Sequence, residues 1–234
     1  FIFALITLVL VKIPQPKKSA ESMKTKGNLL KEVVFGWQYI RTRPGLLALL
    51  IFFATTNFLV NMAVVLFTPL ILNLSTPSML GLLTSTAGLG ILSGSLLMSV
   101  WGGPKKKIWG VYISQIIKSI AIFLLGFTTN FHFLGIGAFV GFCSLPIVNA
   151  CSQVIWQQKT APDIQGRVFS FRRVIAYSTL PLAYLLAGPL ADNIFNPLLL
   201  EGGKWAGSIG QIIGAGPGRG IGMIYIVLGI FTLI

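Results

Sequence analysis

Residues 79–101 form a nearly unbroken apolar run that ends in W-G-G-P-K-K-K (Trp101 to Lys107), and a second apolar run follows over 108–128. About 20 such residues, wound as a helix, cross a hydrocarbon layer roughly 30 Å thick. Three adjacent lysines cannot enter hydrocarbon cheaply and favour the cytoplasmic side. The pattern predicts two membrane-spanning helices joined by a tight cytoplasmic corner. Lys105, Lys106 and Lys107 then set the sidedness of every other segment.

Composition excludes most other classes. The chain is 54% hydrophobic and 10% charged, whereas soluble domains carry about 25% charged residues. Its net charge of +13 would suit nucleic acid, but the basic residues cluster between apolar runs, as the inside-loop bias requires. No nucleic-acid partner is expected. Cys143 and Cys151 share one apolar run without metal-ligand spacing and read as small buried side chains. A β-barrel is excluded, because barrel strands are about ten residues long and alternate in polarity.

Taken in order, residues 1–11 read as the end of a span cut by the chain boundary, and 221–234 as the start of another. A piece of a longer membrane protein is therefore expected. Residues 12–45 form a basic cytoplasmic linker whose second half repeats Leu29, Leu30, Val33, Val34, Trp37 and Ile40 at helical spacing. That is an amphipathic helix lying along the inner membrane face or against a bundle. Residues 46–234 form the bundle itself, with spans at about 46–72, 79–101, 108–128, 133–155, 174–191 and, truncated, 221–234. Inside loops are expected at 102–107 and 156–173, and a long, glycine-rich outside region at 192–219 with room for a short re-entrant or surface helix around 197–200. Fifteen of the 18 Lys and Arg residues then fall inside, Lys118 lies in a span, and only Lys204 and Arg219 lie outside.

Polar residues within the spans are the site candidates. Asn57 and Asn61 are four apart, as are Asn149 and Gln153, so each pair shares a helix face. Amides at that depth point at protein or at a watery cavity, as helix–helix glue or as cavity lining. Tyr177 joins them as a cavity candidate. Lys118, near mid-span, reads either as a coupling group or as a snorkelled or bundle-interface lysine. Glycines and serines spread over 81–99 permit close helix contact. His132, the one histidine, falls in an outside turn. No phosphate-binding loop, H-E-x-x-H metal motif or nucleophile–base pair is present, so no metal, cofactor or enzymatic activity is expected.

The chain resembles the C-terminal half of a major facilitator superfamily transporter, in its drug- and macrolide-efflux-like branch. The residues carrying the resemblance are W-Q-Y-I-R-T-R-P-G-L from Trp37 and G-G-P-K-K-K from Gly102. D-I-Q-G-R-V-F-S-F-R-R from Asp163, G-P-L-A-D from Gly188 and G-A-G-P-G-R-G-I-G from Gly214 complete them. The resemblance implies an all-α, polytopic six-helix half of that fold in the bacterial cytoplasmic membrane. It implies secondary active export of a small lipophilic solute by alternating access, driven by protons, from a protein surrounded by lipid and monomeric once both halves are present. The second basic corner, with Arg167, Arg172, Arg173 and Asp163 as an ion-pair partner, resembles a cytoplasmic gate. The 102–107 corner lacks the family's acid and arginines, so a charge-relay gate does not carry over there. An uptake or lipid-handling carrier on the same scaffold, and a structural or receptor-like membrane protein, are the alternatives.

Overall fold

The computed structural model describes residues 29–233, and among them every regular element is helical. The elements are α1 (Leu29–Arg41), α2 (Pro44–Leu74), α3 (Pro77–Trp101), α4 (Lys107–Phe127), α5 (Phe131–Lys159) and α6 (Gln165–Leu190). A π-helical turn (Ala191–Phe195), α7 (Asn196–Leu199), α8 (Ile209–Ile213) and α9 (Arg219–Leu233) follow. Helices α2 to α5, and the 35-residue run Gln165–Leu199, are long and apolar enough to cross a membrane. The expected span end at 1–11 and the first part of the basic linker lie outside the described residues.

Local chemistry sets the helix ends. Pro44 opens α2, where its missing N–H costs nothing and its fixed φ suits a first turn. Asn130 Oδ1 accepts the His132 N–H at 3.0 Å and so caps α5. At the lysine corner Gly102 and Gly103 adopt φ of +69° and +79°, a left-handed geometry that only glycine takes freely. Lys107 Nζ then donates to the Gly102 carbonyl at 2.7 Å. A cation thus sits at the negative end of α3, where its charge is favourable.

Two expectations change. The inside loop placed at 156–173 shrinks to a turn, because α5 runs to Lys159 and α6 starts at Gln165. Arg167, Arg172 and Arg173 are therefore helical. Charged residues depress hydropathy, but arginine is among the better helix formers. Gln165 Nε2 ties the turn together by donating to the Gln157 and Thr160 carbonyls, at 3.2 and 3.1 Å. At the other end, the short helix expected around 197–200 is α7, but it continues α6 through the π turn rather than standing apart in the outside region.

The helices pack in a chain of neighbours: α3 on α5, α5 on α4, α4 on α9, α9 on α2, α2 on α6, and α6 on α1. Backbone meets backbone where glycine permits. A Cβ at Gly94 would run into the Cys143 carbonyl oxygen, and one at Gly90 into that of Phe139. Gly126 of α4 and Gly222 of α9 face each other in the same way. One apolar core lies toward the lysine corner around Ile40, Leu50, Val111, Cys151 and Trp156. A second lies toward the opposite end around Leu66, Leu70, Leu83, Ile122 and Leu228. Two long-range polar ties lock α9 into place: Tyr225 donates its hydroxyl to the Ala63 carbonyl, and Gln115 Nε2 donates to the Thr232 carbonyl at 3.2 Å.

Candidate functional site

Helices α2, α5 and α6 surround a cavity of about 710 Å³. From α2 come Leu50, Phe53, Asn57 and Asn61, spaced three or four apart and hence on one face. Asn149, Ala150 and Gln153 come from α5, and Phe169, Arg172, Arg173, Ala176, Tyr177 and Leu180 from α6. The five cavity candidates named from sequence (Asn57, Asn61, Asn149, Gln153 and Tyr177) thus meet in one space, together with two of the basic residues.

Their hydrogen bonds divide them. Asn61 Nδ2 donates back to the Asn57 carbonyl at 2.6 Å. The side chains of Asn57, Asn149 and Tyr177 make no hydrogen bond to the described residues and remain open to the cavity. Gln153 is engaged: its Oε1 accepts from Arg172 Nη1 at 3.1 Å. Arg172 Nη2 donates to the buried Ser152 Oγ at 3.0 Å. The same guanidinium lies 5.0 Å from the Trp156 ring centre and 5.9 Å from that of Phe53. A planar fork that stacks on aromatic faces while donating in its plane suits arginine and not lysine. Arg172 therefore ties α6 to α5 and α2 across the cavity floor. Sequence reasoning groups it with Arg167 and Arg173 as a gate residue. Its neighbour Arg173 also lines the cavity but is exposed.

The cytoplasmic-corner candidates do not form one cluster. Lys105 and Lys106 are exposed at the α3–α4 corner, with Lys107 at the first position of α4. Asp163 lies in the α5–α6 turn, and Arg167, in the first turn of α6, holds its guanidinium 5.9 Å from the Phe35 ring centre of α1. Next to it Gly36 approaches closely enough that a Cβ would meet Phe171 Cβ at 3.0 Å. Of the two settings left open for the amphipathic helix, the described one is against the bundle. Lys118 lies apart from the large cavity. It is 6% exposed and lines a separate space of about 110 Å³ with Val60, Phe67, Ile122, Leu145 and Tyr225.

Residues 1–184 match the family model described as Major Facilitator Superfamily. Macrolide efflux protein A of Streptococcus pyogenes is 28% identical over 200 residues, covering 82% of this chain and 48% of that protein. The protein of the same name from Enterococcus faecalis is 28% identical over 188 residues, covering 77% and 57%. The multidrug efflux pump Tap of Mycolicibacterium fortuitum is 29% identical over 167 residues, covering 70% and 40%. This chain thus spans about half the length of the curated relatives it matches. No solved structure matches it.

Proposed function

We propose, from the premise that the chain belongs to the Major Facilitator Superfamily, that it forms one half of a carrier exporting lipophilic drugs or antibiotics across a bacterial cytoplasmic membrane. The observation that carries the reading is the α2–α5–α6 cavity. Its volume of about 710 Å³ falls in the range of roughly 300–1,000 Å³ that holds drug-sized ligands. Its wall mixes apolar residues with the free amides of Asn57 and Asn149 and the Tyr177 hydroxyl. Such a surface takes up a largely apolar solute and orients it by a few polar contacts. The names of the relatives support efflux and the drug class.

In this mechanism the cavity faces the other half of the carrier and opens alternately to the two sides of the membrane. Arg172 fixes the distance between α5 and α6 in one state, so widening the cavity there requires its bonds to Gln153 and Ser152 to break. Among residues whose side chains are described, the carboxylates Asp163, Asp192 and Glu201 all lie beyond the central part of the spans. The proton-coupling acid is therefore assigned to the remainder of the carrier, with Lys118 as the intramembrane charge of this half.

Everted membrane vesicles containing the intact protein test this directly. A fluorescent or radiolabelled macrolide should accumulate in them on energisation and leave when a protonophore is added. Accumulation only in right-side-out vesicles would make the protein an uptake carrier. Movement of no solute, with Asn57→Leu and Asn149→Leu altering assembly alone, would favour a structural role.

A further inference from the structure

At the end of the bundle away from the lysine corner, Arg219 opens α9 and is 7% exposed. Its guanidinium makes no hydrogen bond to the described residues, and Nη1 is wholly buried without a partner. No carboxylate among them pairs with it: Glu201 is exposed, and Asp192 accepts from Asn196 Nδ2 at 3.4 Å. A buried cation left unpaired is costly, and that cost is relieved by an anion.

The surroundings are built to hold the arginine in place. Gly214 adopts φ +94°, and a Cβ there would sit 2.9 Å from Arg219 Nε. Gly218 adopts φ +78°, and a Cβ there would strike Asn73 at 2.7 Å. The loop between them is anchored by Gly214 N–H to the Gly210 carbonyl and Gly216 N–H to the Leu199 carbonyl, both at 2.9 Å. This glycine stretch, which the carrier mechanism leaves unused, therefore wraps the arginine.

Arg219 lines a cavity of about 530 Å³. Its wall also includes Thr128 and Thr129 together with the apolar Leu74, Phe127 and Ile212. An arginine fork binds the oxygens of a phosphate in bidentate fashion, and the mixed wall accommodates both a charged head and an apolar attachment.

We propose that the Arg219 cavity is an oxyanion site that takes a phosphate group, from a lipid headgroup or from aqueous phosphate. The site does not depend on which solute the carrier moves or in which direction.

The test uses the intact protein in neutral detergent, with thermal unfolding followed by tryptophan fluorescence. Sodium phosphate is compared with sodium chloride at equal ionic strength. Phosphatidylglycerol is compared with a phosphate-free glycolipid of the same acyl chains. At least one phosphate probe should raise the midpoint by about 5 °C near saturation. Arg219→Gln should abolish the shift and Arg219→Lys should reduce it. A shift with phosphatidylglycerol alone assigns the lipid headgroup, and a shift with free phosphate assigns the aqueous anion. No shift in the wild type, or equal shifts in wild type and Arg219→Gln, overturns the site. Should the variants fail to fold, phenylglyoxal modification of Arg219 in the wild type decides. Slowing by about tenfold with either phosphate probe supports the site, and an unchanged rate overturns it.

Discussion

Arg172 is held by two neutral hydrogen-bond acceptors and two aromatic faces, so its contribution is geometric as much as electrostatic. Arg172→Gln removes the fork and leaves the buried Ser152 hydroxyl without that partner, a cost of about 1–3 kcal/mol. Arg172→Lys keeps the charge but not the paired bonds. Both variants are expected to lower the proposed export about tenfold or more, equivalent to about 1.4 kcal/mol or more at the limiting step, with Gln the worse in thermal stability. Vesicle flux and unfolding midpoints measure the two effects separately. Lys118 poses the opposite case, an ammonium on a stem packed among apolar side chains. Lys118→Met keeps that bulk while removing the charge, and should raise stability by about 1–3 kcal/mol. Unimpaired export in the stabilised variant would make Lys118 a packing residue, whereas lost export would assign it work in the cycle. The amides of Asn57, Asn61, Asn149 and Gln153 were legible in the sequence because polar residues stand out in an apolar run and spacing by four fixes their face. The inward setting of Arg172 was not, because three arginines within seven residues look alike until neighbouring helices distinguish their directions.

The element scale turns on how closely helices approach. In α3 the sequence offers Gly81, Gly88, Gly90 and Gly94 without ranking them. The structure sets Gly90 and Gly94 against the α5 backbone, while a Cβ at Gly81 or Gly88 would meet nothing within 4 Å. Gly94→Ala must push the two helices apart and is expected to cost about 1–3 kcal/mol. Gly88→Ala should stay within about 0.5 kcal/mol. Thermal unfolding of the two proteins in one detergent makes the comparison, and equal midpoints would contradict the packing of α3 on α5. The boundaries of α6 show why element lengths were less legible than element existence. A hydropathy window ends where arginines begin, but the helix continues because α1 covers that part and Gln165 satisfies the preceding carbonyls. The clustering of apolar positions was sufficient to predict α1, and the tight fit of Gly36 against Phe171 sets it against the bundle.

Across the whole molecule the charge distribution makes a prediction about sidedness. The 105–107 corner and the Leu74–Thr129 end are separated by the 21 residues of α4, roughly 30 Å of helix. With Cys143 and Cys151 replaced, Lys105→Cys should react with an impermeant maleimide only after the cells are opened. Glu201→Cys should react in intact cells. The reverse pattern would invert the proposed topology and with it the direction of export. The helical class and the number of long apolar segments followed from runs of sequence, because a bilayer imposes one length on every crossing. The order of neighbours did not, since it depends on contacts between residues far apart in the chain. The Tyr225–Ala63 tie is one such contact, 162 positions long. A ribosome adding about 5–20 residues per second releases Ala63 on the order of 10–30 s before its partner hydroxyl is made. During synthesis α2 must therefore wait in the insertion machinery or in lipid with an incomplete seam, and the seam between α2 and α9 closes only after α9 emerges.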